Sequence, residues 1–155
     1  MGQEIERKFL VNREKWQAPD EGCYFRQGYL STHPHCIIRI RITGDQAYLT
    51  LKGKSKGLVR PEFEYSIPLS DAQQILEELH QGPLIEKVRY RLTHHNLVWE
   101  VDEFLGDNTG LILAEVELSD PLQPVDLPQW IDQEVTDDAR YYNSNLINHP
   151  YRQWN

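Results

Sequence analysis

Charged residues recur at every second position in segment after segment of this chain: Glu4-Ile5-Glu6-Arg7-Lys8, Arg39-Ile40-Arg41, Glu62-Phe63-Glu64, Lys87-Val88-Arg89-Tyr90-Arg91, Glu100-Val101-Asp102 and Glu115-Val116-Glu117. Side chains alternate between the two faces of a strand, so a period of two points each charged set one way. Acidic and basic sets occur in one small protein. A face with that much opposed charge suits a multiply charged ligand together with cations.

Eight segments read as strands, at about 3–11, 22–31, 36–43, 46–53, 60–68, 84–93, 96–105 and 111–119. Gly44-Asp45 marks a tight hairpin turn, and Asn12 begins a short turn through Trp16. Between the fifth and sixth strands, Ser70 with Gln73 reads as a capping box, and Ile75, Leu76 and Leu79 form an apolar stripe. Gly82-Pro83 ends that helix, and a last helix is expected near 137–148. Short turns between strands imply an antiparallel meander, and eight strands can close into a barrel. The expected fold is mainly β (α+β): a single domain over residues 1–155, an eight-stranded closed barrel with a few covering helices.

The net charge is −8, from 24 acids and 16 Lys plus Arg, which argues against a nucleic-acid partner. No apolar run approaches the ~20 residues that span a bilayer. The acidic, strand-like N-terminus carries no secretory pattern, so a cytoplasmic protein with no membrane partner is expected. Cys23 and Cys36 read as free, buried thiols, and His33, His35, His94 and His95 as loop histidines rather than zinc ligands.

Alternation alone leaves the charged face inside or outside, and outside is the common pattern of antiparallel sheets. Three features favour the inside. The charges are segregated by strand, they are short on Ser, Gln and Asn, and the opposite faces are rich in Ile, Leu, Val and aromatics that helices could cover; the two signs, besides, nearly balance. Acids Glu4, Glu6, Glu62, Glu64, Glu100, Asp102, Glu115 and Glu117 stand against bases Lys8, Arg39, Arg41, Lys52, Lys87, Arg89 and Arg91. Buried charges are tolerated only when paired or met by ions.

The string Glu4-Ile5-Glu6-Arg7-Lys8 resembles the ExExK signature of the CYTH superfamily, the triphosphate tunnel metalloenzymes. It is followed in order by Arg39-Ile40-Arg41, Thr50-Leu51-Lys52, Arg60-Pro61-Glu62-Phe63-Glu64, Glu86-Lys87-Val88-Arg89, Trp99-Glu100-Val101-Asp102-Glu103-Phe104 and Leu113-Ala114-Glu115-Val116-Glu117. Glu134-Val135-Thr136 and Arg140-Tyr141-Tyr142-Asn143-Ser144-Asn145-Leu146 resemble the family's C-terminal helix, so the match spans essentially the whole chain. The resemblance implies a tunnel with charges inside and hydrolysis of a triphosphate with Mg²⁺ or Mn²⁺. Small bacterial members mostly prefer inorganic tripolyphosphate. Tyr29 falls where some members carry a tyrosine that pairs with the signature lysine.

The residue types fit that chemistry. Arg39, Arg41, Lys52, Lys87 and Arg89, with Lys8, would hold phosphate oxyanions. Carboxylates suit hard divalent cations. In a closed barrel the first and eighth strands are neighbours, which would gather Glu4, Glu6, Glu115 and Glu117. Those four are the first metal-ligand candidates; Asp102, Glu62 and Glu64 are second, with orientation of the bases as their alternative role. Two ions in the substrate complex, an attacking water near Lys8, and Glu4, Glu6, Lys8 and Tyr29 as the catalytic set complete the expectation. Competing readings are a thiamine triphosphatase, an adenylyl cyclase and a non-catalytic polyphosphate-binding module. A monomer and a homodimer are both open.

Overall fold

The computed structural model describes residues 2–154. Among the described residues there are nine strands: β1 (Gln3–Val11), β2 (Cys23–His33), β3 (Cys36–Thr43), β4 (Gln46–Lys52), β5 (Val59–Ser66), β6 (Gln81–His94), β7 (Leu97–Phe104), β8 (Ile112–Glu117) and β9 (Ile131–Glu134). Their order is β5-β4-β3-β2-β6-β7-β8-β1-β9, and an additional β5–β1 pairing closes the first eight into an antiparallel barrel.

The closed barrel matches expectation, but the connectivity is not one meander. Strands β2 to β5 form one meander and β6 to β8 another. Helix α1 (Leu69–Leu79) carries the chain between them, so that β6 pairs with β2. β1 is inserted between β5 and β8. One of its edges pairs with β8, bringing Glu6 opposite Glu117 and Lys8 opposite Glu115. The other edge is divided: Gln3–Ile5 pairs with β5, while Phe9 and Val11 pair with β9 outside the ring. At the division the Lys8 carbonyl accepts from Val135 N–H (2.8 Å), and its own N–H donates to Thr136 Oγ1 (3.0 Å).

Helix α1 buries Ala72 and Leu76 against Ile40 and Ala47 on the outer wall. Its approach requires Gly28 of β2, where an added Cβ would meet Leu76 Cδ2 at 2.6 Å and Leu84 Cδ2 at 2.7 Å. The expected Ser70–Gln73 cap is absent; the helix follows an extended Pro68 with no side-chain cap hydrogen bond. Nor do Gly82-Pro83 end it. They already lie in β6, which is lengthened to Gln81 by pairing with Tyr29.

A second outer cover is aromatic. Trp99 is fully buried with Phe9 (ring centroids 5.6 Å) and Trp130 (5.9 Å), and Trp16 packs on Trp130 (4.8 Å). The outer face of β5 is uncovered, with Phe63 and Tyr65 about half exposed.

The expected C-terminal helix is replaced by a 3₁₀ turn (Ala139–Tyr141) and a single turn, α2 (Asn143–Leu146). Tyr142 has extended dihedrals between them, which breaks the helical run. Cys23 and Cys36 are free, but exposed rather than buried, because both stand at strand ends. His94 and His95 lie at the β6–β7 turn, where His95 and Asn96 take positive φ (49° and 67°), as a two-residue hairpin demands. Among the described residues no helix is long and apolar enough to cross a membrane.

Candidate active site

The charged residues face inward, but they fill only part of the interior. Toward one end the inward side chains are apolar: Tyr29, Ile37, Ile85, Phe104 and Leu113 form one buried cluster with Tyr141, Leu146 and Ile147 of the C-terminal segment. This plug floors a cavity of about 280 Å³ whose walls carry the charges.

The basic wall comes from β3, β4 and β6. Arg39, Arg41, Lys52, Lys87 and Arg89 all line the cavity. Asp102 clamps two of them from beneath. Arg89 donates to its oxygens in a bidentate fork (2.7 and 2.9 Å), and Lys87 Nζ lies 2.9 Å away. Against burial, Arg89 and Lys87 hold Asp102 below the usual carboxylate range. Glu64 accepts from Thr50 Oγ1 (2.8 Å) and from Arg39 and Arg41 (3.4 Å each). Phe25 stands between two guanidinium groups, Arg41 and Arg89, each 5.0 Å from its ring.

Each of the five bases has a carboxylate partner, Glu100 also reaching Arg89 at 3.3 Å, yet burial weighs on two of them. Burial, with Arg39 and Arg89 nearby, pulls Arg41 down to about 10, and burial pulls Lys87 down to about 7 despite Asp102. The buried Nε–H groups of Arg39 and Arg41 have no partner among the described residues. A buried donor without an acceptor is costly.

The acidic wall comes from β1, β5 and β8. Glu4, Glu6, Glu115 and Glu117 face one another across the β1–β8 seam, with Glu62 beside Glu4. Burial, then the charges of Glu115 and Glu4, push Glu6 well above the normal range. Burial and the hydrogen bond with Glu4 push Glu62 up to about 7. Against burial, Lys8 (3.7 Å) and Arg89 hold Glu115 well below. Lys52 bridges Glu4 (3.3 Å) and Glu62 (3.1 Å). Within this group Glu6 and Glu62 are raised, whereas Glu115 and, against burial, the Lys52-paired Glu4 are lowered. Among the described residues no three His, Cys, Asp or Glu side chains converge as a ready ligand set. The donor chemistry nevertheless fits a hard divalent cation: every group is an oxygen donor, and a cation would offset the crowding of like charges.

Lys8 is buried, with Nζ 3.4 Å from the Tyr141 carbonyl and 5.5 Å from the Tyr142 ring centroid. Tyr29 lines the cavity, but its hydroxyl accepts from Gln27 Nε2 (3.2 Å), and the hydrogen bond of Lys8 goes to Tyr141 instead. Asp102 is 1% exposed and lies behind the cavity wall, with both oxygens engaged by Lys87 and Arg89. Arg91 is 68% exposed beyond the rim. Sequence reasoning missed Arg60, the loop residues Ser55 and Gly57, and the strap residues Thr136, Asp137, Tyr142, Asn143 and Ser144. The strap and loop lack periodicity, and only the resemblance of residues 134–136 and 140–146 to a family segment signalled the strap.

A family model described as the CYTH domain matches residues 2–149. The chain belongs to the CYTH domain family. This CYTH protein is 46% identical over 154 residues to an inorganic triphosphatase of Acetivibrio thermocellus, covering 99% of each chain. It is 38% identical over 151 residues to an inorganic triphosphatase of Nitrosomonas europaea, covering 92% of this chain and 95% of that protein. Its fold is similar to the crystal structure of the inorganic triphosphatase NE1496, with a TM-score of 0.65 and 32% identity, covering 93% of both chains.

Proposed function

We propose that this CYTH protein is a divalent-metal-dependent hydrolase that cleaves inorganic tripolyphosphate to pyrophosphate and phosphate inside the barrel. The observation that carries the reading is the set of five bases, Arg39, Arg41, Lys52, Lys87 and Arg89, lining a cavity whose opposite wall is carboxylate. The inorganic triphosphatase relatives, similar over nearly the whole chain, support it.

Arg39, Arg41, Lys52, Lys87 and Arg89 bind the phosphate oxygens and compensate charge that spreads over the transferring phosphoryl group. Asp102 and Glu64 keep the guanidinium groups aimed. Glu6, with Glu4, Glu115 and Glu117, would hold Mg²⁺ or Mn²⁺, two ions in the substrate complex. Such ions supply charge neutralisation and a water of lowered pKa. Lys8 is placed between the acidic wall and the plug, where it meets the terminal phosphate or the water. Tyr29, at the floor, meets the substrate's inner end. Attack on the terminal phosphorus forms one P–O bond and breaks the bridging one, releasing phosphate and pyrophosphate.

The cavity favours a small linear substrate. Trp16, Trp99 and Trp130 are packed together on the outer wall, and Trp154 stacks on Tyr141, so no tryptophan lines the cavity for a thiazolium or a nucleobase. A binding module would have no need of the carboxylate wall.

The test is phosphate release from tripolyphosphate, thiamine triphosphate and ATP with Mg²⁺, Mn²⁺ or EDTA, for wild type and Glu4→Gln. Metal-dependent release fastest from tripolyphosphate and lost in the variant is expected. No release from any of the three, with tripolyphosphate still bound, would make the barrel a binding module.

A further inference from the structure

The Lys87 ammonium is held by two acceptors from distant parts of the chain. Asp102 Oδ2 on β7 lies at 2.9 Å, and Asn143 Oδ1 on α2 at 2.8 Å. An ammonium has three N–H donors, so one remains, and Lys87 forms part of the cavity wall. The same Asn143 oxygen accepts from Gln27 Nε2 (2.9 Å), and that amide also reaches the Tyr29 hydroxyl (3.2 Å). Asn143 itself lines the cavity. An asparagine accepts from both donors without adding a negative charge, whereas a carboxylate there would repel an incoming oxyanion.

The strap that presents Asn143 is fastened by other bonds. Tyr141 and Leu146 are buried in the plug. Lys8 of β1 ties the strap to the barrel, its N–H donating to Thr136 Oγ1 (3.0 Å) and its Nζ to the Tyr141 carbonyl (3.4 Å). The Asn143 amide is therefore not what keeps the strap in place. Its bonds run to the barrel wall, to one residue of the basic set and one supporting glutamine.

We infer that Asn143 is a positioning residue: with Asp102 it fixes the Lys87 ammonium so that the remaining N–H points into the chamber, making the C-terminal strap part of the oxyanion site. This rests on the reading of the chamber as a triphosphate site.

The experiment is a double-mutant cycle of Asn143→Ala and Lys87→Met. Tripolyphosphate affinity is read by calorimetry in EDTA, and KM and kcat with Mg²⁺. Losing a hydrogen bond to a charged group predicts about tenfold weaker binding in Asn143→Ala, with KM raised by a similar factor and kcat roughly held. In the Lys87→Met background the same change should cost less than about twofold, because Asn143 acts through that ammonium. A merely structural role would give equal losses in both backgrounds; that result, or no loss in either, overturns the inference. If Asn143→Ala loses its near-UV aromatic signal, Asn143→Ser, which stays polar but is too short to carry the acceptor to Lys87, replaces it in the cycle: a loss confined to the Lys87 background supports the inference, and equal losses or none overturn it. Coupled binding without phosphate release would sink the hydrolase reading and leave this one standing. Absence of tripolyphosphate binding in wild type would overturn both.

Discussion

Leu113 and Glu115 are two residues apart on β8 and face the same way, yet one is packed in hydrocarbon and the other stands among charges. Ile85 and Lys87, Ile37 and Arg39, and Phe104 and Asp102 repeat the pattern on three more strands. The two halves of the interior are made by the same strands with the same alternation. Parity decides whether a side chain points in. What it meets there depends on distance along the strand from the C-terminal strap, whose Tyr141, Leu146 and Ile147 fill one end. The apolar half holds the barrel together. The charged half is held in a strained balance of burial and pairing that a polyanion and cations would complete.

Changes at the boundary should show this most sharply. Asp102→Asn leaves two buried bases without their carboxylate, so unfolding in urea should reveal a loss of about 3 kcal/mol or more. A stable variant would mean that the clamp is not what holds Lys87 and Arg89. In the apolar half, Leu113→Ala should cost about 2–5 kcal/mol of stability while leaving kcat/KM of the folded fraction near wild type; an activity loss without a stability loss would dissolve the division of labour. In the charged half the reverse holds. Glu6→Gln should reduce metal-dependent phosphate release at least about 100-fold while the urea midpoint holds or rises, since a neutral amide replaces a crowded carboxylate.

The pH response separates the halves more gently. Glu62, at about 7 when folded, and Glu6, also raised, bind protons more tightly in the native state than in the unfolded chain. Their contribution is fully present below the ordinary carboxylate pKa and is lost as pH rises through about 7. The Tm of the metal-free protein should therefore fall across that window, and Glu62→Gln or added Mg²⁺ should flatten the fall. A Tm that rises with pH there would contradict the crowding. The smallest effect is expected from Arg91→Ala. Its ion pair to Glu100 at 3.9 Å is exposed, so stability should shift by no more than about 0.5 kcal/mol and KM should not move.

What was legible in the sequence follows the same boundary. The charged set was readable because period two survives in each strand, and because closing eight strands makes the first and last neighbours, which placed Glu6 beside Glu117. The apolar half was not readable as interior. Ile37 and Leu113 sit near strand ends, and Ile85 near the expected start of the sixth strand at about 84, where an apolar residue in phase with the charges looks like an ordinary boundary residue. The strap was least legible of all. It reaches the chamber through a 3₁₀ turn, an extended Tyr142 and one helical turn, and no hydrophobic period announces such a path. The ninth strand was hidden for a related reason: Ile131–Glu134 is short and acidic, and it becomes a strand by docking on an edge that β5 leaves vacant.

That divided edge of β1 also governs how the molecule can assemble. The first strand of the chain is hydrogen-bonded to residues 59–61 on one side, and to strands at 112–117 and 131–134 on its two edges farther along. During synthesis the β2–β5 hairpins can zip as they emerge, whereas β1 has to wait, charged face and all, until nearly the whole chain exists. Pairings so distant in sequence carry a large loop-closure cost and slow the search, placing a barrel of this kind toward the millisecond-to-second range. The chamber is consequently born all at once, with the last wall, the plug and the strap arriving in the same closing event.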